Sequence, residues 1–218
     1  MTFFLHETQY RNIASIADRQ ITICGAGALG ANLAETLART GFTQLRIIDR
    51  DRIEAHNLST QPWTQQDVGA PKTRVLANAL YRAVGARVEP KHNELTPDNA
   101  KALLKGSVVV IDAFDNLPSR GAVADAATRL GVPCLHIALG PNGDYGCGLW
   151  DDRYVVPTNE QQSTTNQPDE CDYPLTRPLA LLVVAAGAEV LVRYLLGGHR
   201  ADFEFTLRDL RLVINQET

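Results

Sequence analysis

The chain has 218 residues, 44% of them hydrophobic, which suits one domain with a sizeable core. Its 21 Lys and Arg against 25 Asp and Glu leave a formal net charge of −4. That balance removes any electrostatic case for nucleic acid or an anionic membrane surface as partner.

Met1 to Gln20 reads as an N-terminal helical arm, with Tyr10, Ile13 and Ile16 at helical spacing. Two readings stay open: a helix covering the sheet edge, or a dimer element that presents Arg11 to a neighbouring site. An apolar strand follows at 21–24, then the turn Gly25-Ala26-Gly27-Ala28-Leu29-Gly30, then a helical pattern through Leu33 and Leu37 that closes at Gly41. A second strand, 45–48, ends on Asp49 and Asp51. Strand, glycine turn, helix, strand and acidic cap form the dinucleotide-type fingerprint in its required context. The first glycine allows a tight turn, the second lets backbone approach a phosphate, and the third lets the helix pack close to the strand. N–H groups at the helix start then face an anion.

Residues 50–70 read as a polar loop. Pro71 opens a helix in which Lys72, Leu76, Leu80 and Val84 keep helical spacing, closed by Gly85. A short strand at 88–93 follows, then a helix to Lys105 capped by Thr96-Pro97-Asp98. Residues 107–112 read as a doubly covered parallel strand. The next helix runs from Leu117 to Leu130 and ends at Gly131; another strand spans 133–138. The alternation predicts a doubly wound α/β sheet. After Gly140 the pattern changes to antiparallel strands at 144–150, 153–156, 203–207 and 210–213. Between them, 157–174 is a polar stretch read as a mobile crossover loop, extending to 176 at most. The apolar segment from Arg177 or Pro178 to Leu196, with Glu189, Arg193 and Gly187 inside it, reads as a buried helix rather than a membrane span.

The cysteines, Cys24, Cys134, Cys147 and Cys171, form no C-x-x-C pair, which argues against structural zinc. With no secretory pattern before the first strand, they fit a reducing cytoplasm. Cys24 and Cys134 lie inside apolar strands and read as core.

In an open α/β sheet, ligands sit beyond the carboxyl ends of the strands. Asp49 and Asp51 end the second strand, Asp112 and Asp115 end the fourth, and Lys72 starts the helix after the polar loop. If they converge, they supply a phosphate cradle, a phosphate-facing lysine and a carboxylate able to hold Mg²⁺. Each has a plainer reading. Lys72 can be a solvated charge, Asp115 an N-cap, and Asn57 and Gln61 ordinary loop polar groups. His136 reads as a core histidine, and Trp63 as a loop anchor or an interface residue.

GAGALG, IDRDRIEAHNLSTQ, DVGAPK and IDAFDN occur in the order and spacing of a known family. The chain resembles the ThiF/MoeB superfamily, the ubiquitin-activating-enzyme-like adenylyltransferases, over roughly residues 5–215. The resemblance implies a single Rossmann-like adenylation domain with a mostly parallel sheet and antiparallel C-terminal strands. It also implies that ATP with Mg²⁺ activates a carboxylate, usually the C-terminal glycine of a ubiquitin-like or sulfur-carrier protein or peptide, in a cytoplasmic homodimer. By position, Gly25, Gly27 and Gly30 line the nucleotide, Asp49 binds the ribose with Asp51 beside it, Asn57 and Lys72 face the phosphates, and Asp115 holds Mg²⁺; Gln61 belongs to the same nucleotide-binding set. Lys72, Asp115, Cys171 and Arg11 carry the catalytic expectation.

This chain departs from the family in three ways. The family's N-L-x-R-Q reads Asn57-Leu58-Ser59-Thr60-Gln61 here, so a positive charge is missing at Thr60. Arg74, Arg120, or Arg11 from a partner subunit are the candidate replacements. The zinc-binding cysteine pairs of many relatives are absent. No catalytic-cysteine or ubiquitin-fold domain is appended, which reads as a minimal member. Some relatives pass the acyl group to a thiol, and Cys171 sits where such a cysteine would. A helix N-terminus lowers its pKa, while Asp169, Glu170 and Asp172 push the other way. Cys147 is the weaker candidate. Alternatives are a non-catalytic subunit of a heteromeric activating enzyme, motivated by Thr60, and an NAD-dependent oxidoreductase, which lacks an evident hydride-transfer acid.

Overall fold

A computed structural model describes residues 3–156 and 174–216. Its elements are α1 (Leu5–Tyr10), β1 (Ile21–Cys24), α2 (Gly30–Thr40), β2 (Gln44–Ile48), α3 (Lys72–Val84), β3 (Arg87–Lys91), α4 (Ala100–Leu104), β4 (Val109–Asp112) and α5 (Leu117–Leu130). They continue with β5 (Cys134–Leu139), β6 (Tyr145–Trp150), α6 (Arg177–Gly197), β7 (Ala201–Thr206) and β8 (Arg211–Gln216). One sheet contains the strands in the order β3-β2-β1-β4-β5-β6-β7-β8. The first five are parallel and the rest antiparallel, as the alternation and its later break predict.

The order reverses between β1 and β4, and the register there is flush. Cys24 pairs with Ile48 on one side and Asp112 on the other. Three carboxyl ends therefore open at one level, which is where a doubly wound sheet places a ligand. Strand alternation sorts the core into two layers. Ile21, Ile23, Leu45, Ile47, Val109 and Ile111 pack with residues of α2, α3 and α6. Cys24, Ile48, Val110 and Cys134, all fully buried, pack with residues of α4 and α5.

Chain ends of helices follow local chemistry. Asn116 caps α5 by accepting the Ser119 amide at 3.0 Å, so the helix is capped one residue later than an Asp115 cap would place it. Thr176 caps α6 through the Leu179 amide, and Gly198 ends it at φ +77°. By length and composition α6 would cross a membrane; in this fold half of its most apolar window is buried, against α2 and strands β5 to β7.

Three expectations are corrected. The N-terminal arm is not one helix: Arg11 is extended after α1, Ile13 and Ile16 are buried around a separate 3-10 turn, and Tyr10 is exposed. The arm's Phe4 and Ile13 close on Gly41, where any Cβ would sit about 3 Å from them, so this arm packs on the end of α2. Residues 153–156 form no strand; they follow a turn, and Tyr154 turns its hydroxyl to Arg120. Finally, α4 starts at Ala100, because the Asn99 side chain accepts the Thr96 amide and holds 97–99 as a turn.

Candidate active site

The glycine turn is built by mutual contact. Gly25 has φ +98°, and a Cβ there would lie 2.9 Å from the Ala113 carbonyl. A Cβ on Gly30 would lie 2.0 Å from the Gly25 carbonyl, so the first and third glycines touch. Gly27 faces open space on its Cβ side. No side chain caps the start of α2, which leaves first-turn N–H groups for an anion.

Asp49 is buried and staples this turn to the end of β2. Its Oδ2 accepts the Ala26 amide and its Oδ1 the Asp51 amide, both at 2.6 Å. Burial raises its pKa, and Lys72 and those two amides only partly offset the effect. Each oxygen keeps a further lone pair, which leaves acceptor capacity for a sugar hydroxyl.

Residues 52–70 are more ordered than a plain polar loop. Arg52 bridges Pro71, the Ile53 amide donates to Ala70, and the Gly69 amide donates back to Ile53. Two capping boxes, Glu54 with Asn57 and Thr64 with Asp67, close 3-10 turns inside it. This closure returns the chain to the strand end. The Lys72 amide donates to the Asp51 carbonyl at 3.1 Å, and Lys72 Nζ lies 3.1 Å from Asp51 Oδ2. The lysine side chain is 8% exposed and its carboxylate partner 54%. The solvated-charge reading of Lys72 therefore fails on burial.

Asn57 is buried, and its Oδ1 accepts the Glu54 amide, which leaves its NH₂ end as the group able to face a ligand. Gln61 Oε1 accepts from Trp63 Nε1 at 2.6 Å with both side chains buried, so Trp63 is a loop anchor. Thr60 is buried and offers its carbonyl to Asn32 Nδ2 at 2.8 Å; the same amide donates to Ala28 in the glycine turn at 2.6 Å. Asn32 thus ties the 60–61 segment to the cradle. Its only sequence signal is a polar residue on the buried face of α2.

On the β4 side, Asp115 is exposed, forms no hydrogen bond to another described residue, and does not cap α5. Asp112 points elsewhere. It is fully buried, with His136 Nδ1 at 2.9 Å and Arg120 Nε at 3.4 Å. Among the candidate replacements for the charge missing at Thr60, Arg120 is therefore committed inside the fold. Burial alone would lower its pKa, but Asp112 and Tyr154 more than reverse this. Arg11 is paired within its own chain, to Glu189 at 2.5 Å and Glu7 at 3.1 Å. Arg74 is exposed on α3. Arg177 starts α6, as the sequence predicts, with Nη1 3.4 Å from the Gln61 carbonyl. Cys171 and the rest of 157–173 lie outside the described residues. Burial pushes the Cys147 thiol up, away from a ready thiolate.

Among the described residues, no three His, Cys, Asp or Glu groups gather as a metal site. A Mg²⁺ bound by one carboxylate together with nucleotide phosphates needs no such group. Asp115 is a carboxylate of that kind: open, and without a protein partner among the described residues.

The sheet order and the glycine turn at its reversal define a Rossmann-type α/β protein. The chain belongs to the ThiF family, whose profile matches residues 3–211. It is 37% identical over 121 residues to a sulfur carrier protein adenylyltransferase of Thermus thermophilus, and 35% over 123 residues to a SAMP-activating enzyme E1 of Haloferax volcanii. Each match covers 55% of this chain and 45% of the relative. E. coli MccB, solved with MccA, superposes with a TM-score of 0.77 over 97% of this chain and 69% of its own. At 17% identity that likeness shows the fold.

Proposed function

We propose that this chain is an ATP-dependent adenylyltransferase that activates the C-terminal carboxylate of a small ubiquitin-like or sulfur-carrier protein. Family membership and the printed activities of the two relatives support the reaction class. The observation that carries it is Lys72, a buried cation near Asp49, the carboxylate that staples the glycine turn, and the lysine's one ion pair among the described residues is to a half-exposed carboxylate. A phosphate can take that partner's place.

The substrate carboxylate is already ionised, so no general base is needed. One of its oxygens forms a bond to the α-phosphorus while the bond to the bridging oxygen breaks, and pyrophosphate leaves with that electron pair. Charge accumulates on phosphate oxygens, where the Lys72 ammonium and the α2 amides meet it. Asp49 accepts from the ribose and fixes the nucleotide against the turn. Asp115 would hold Mg²⁺, which supplies further neutralisation of phosphate charge when bound.

Pyrophosphate exchange into ATP tests the reading, using a carrier protein that ends in Gly-Gly. Exchange that needs the carrier and disappears in Lys72→Ala and Asp115→Asn is expected; tight NAD binding with no ATP binding would overturn it. A later transfer to the Cys171 thiol belongs to the same proposal, as does a cytoplasmic homodimer. A thioester-linked carrier lost in Cys171→Ala would establish the transfer. Thr60 favours one second reading. Its side chain brings no charge and its carbonyl is engaged by Asn32, which suits a subunit that binds ATP but reacts only with a partner chain. ATP binding without exchange, restored by a second subunit, is the outcome that reading requires.

A further inference from the structure

A buried polar cluster adjoins the site without belonging to it. Asp112 ends β4, Arg120 lies in the first turns of α5, His136 is on β5, and Tyr154 follows β6. The first three are 7% exposed or less. Arg120 Nε donates to the Tyr154 hydroxyl at 2.8 Å, and its Nη1 donates to the Phe114 carbonyl at 2.5 Å and the Ile137 carbonyl at 3.3 Å. Asp112 Oδ1 accepts the Phe114 amide at 3.1 Å. The pair thus holds both backbone polar groups of Phe114, and Asp115 is the next residue. The opposite side of this turn presses on the cradle, since a Cβ on Gly25 would lie 2.9 Å from the Ala113 carbonyl and 3.3 Å from Phe114 Cδ1.

Stability does not explain such a cluster. A buried ion pair carries a desolvation penalty, and an apolar replacement of similar volume is often as stable. His136 sharpens the point. Its Nδ1 is held by Asp112 and its ring stacks on Tyr154 at 3.7 Å, yet its buried Nε2 has no partner among the described residues. What a guanidinium adds is direction, because its planar fork fixes several acceptors at once.

We infer that Arg120, oriented by Asp112 and Tyr154, is a positioning residue. It fixes the turn that carries Asp115, and so the direction of the carboxylate that would hold Mg²⁺. The inference rests on the adenylyltransferase reading only through Mg²⁺ at Asp115.

Calorimetric titration of ATP, with Mg²⁺ and with EDTA, tests it on two variants. Arg120→Lys keeps the charge and loses the fork; Tyr154→Phe removes one hydroxyl and spares the fold. The wild type is expected to bind ATP more tightly with Mg²⁺ than without. Arg120→Lys is expected to lose about tenfold of that gain, the range for groups that orient a metal ligand. Tyr154→Phe loses a smaller part, metal-free binding is unchanged in both, and neither variant adds to the loss in Asp115→Asn. Equal losses with and without Mg²⁺, or a full gain in both variants, would overturn the inference. A wild type with no Mg²⁺ gain would overturn it too, while exchange activity in the same preparation judges the adenylyltransferase reading separately. If Arg120→Lys fails to fold, Tyr154→Phe still decides.

Discussion

Two cation–carboxylate pairs stand on the strands that flank β1, and they are built differently. At the end of β2, Lys72 is buried but its partner Asp51 is 54% exposed. At the end of β4, Arg120 is buried and its partner Asp112 is fully so. A buried cation with an exposed partner can exchange it for a ligand at little cost, because the displaced carboxylate returns to water. A cation and carboxylate buried together cannot separate without leaving an unpaired charge in the interior. The first pair is equipped to bind, the second to hold shape.

The comparison can be broken by removing one cation from each pair. Arg120→Met leaves Asp112 buried without its guanidinium and is expected to cost about 3–5 kcal/mol, read from denaturant midpoints. Lys72→Ala should cost clearly less than that, because its ion-pair partner Asp51 returns to water while only its support of Asp49 is lost. It should nonetheless lower pyrophosphate exchange by roughly 10²–10³-fold, the usual loss for one charge-stabilising donor. Equal stability losses in the two variants would erase the distinction. The smallest effect is expected at a third pair, Arg11 with Glu189. Burial alone would raise the Glu189 carboxyl, but bonds from Arg193 and Arg11 hold it below its ordinary 4.5. A depressed carboxyl stabilises the fold above its unfolded pKa, and this contribution is lost as pH falls through the folded value. Arg11→Ala should therefore cost under about 1 kcal/mol at pH 7 and progressively less as pH falls below 4.5, by thermal melts across that range. A loss of exchange without loss of stability would instead support Arg11 acting across a subunit boundary.

The parallel half of the sheet was legible because its signals are local: apolar runs, glycines at forced turns, and caps within one turn of their helix. The places of Lys72 at a helix start and of Asp49 just after a strand end were legible for the same reason. Asp112, Arg120 and His136 were each noticed singly, but nothing in the sequence joins them, since only strand register puts Asp112 opposite His136. Asp115 and Asn116 are adjacent, and both are chemically able to cap α5; backbone geometry selects Asn116 and leaves Asp115 open. Tyr10, Ile13 and Ile16 fit a helical period, yet the arm breaks at Arg11 so that two isoleucines can reach the core. The link from Asn32 to Thr60 crosses 28 positions and has no local trace.

Cys24 and Cys134 carry one further consequence. Both thiols are fully buried, and burial pushes them well above their ordinary pKa. A thiol reagent reaches them only when the sheet opens, and Cys24 immediately precedes Gly25. The labelling rate therefore clocks the opening of the strand that carries the cradle. A nucleotide that binds only the closed form slows that clock by a factor of 1 + [L]/Kd. The chain thus contains its own affinity gauge, one that requires neither a carrier protein nor turnover.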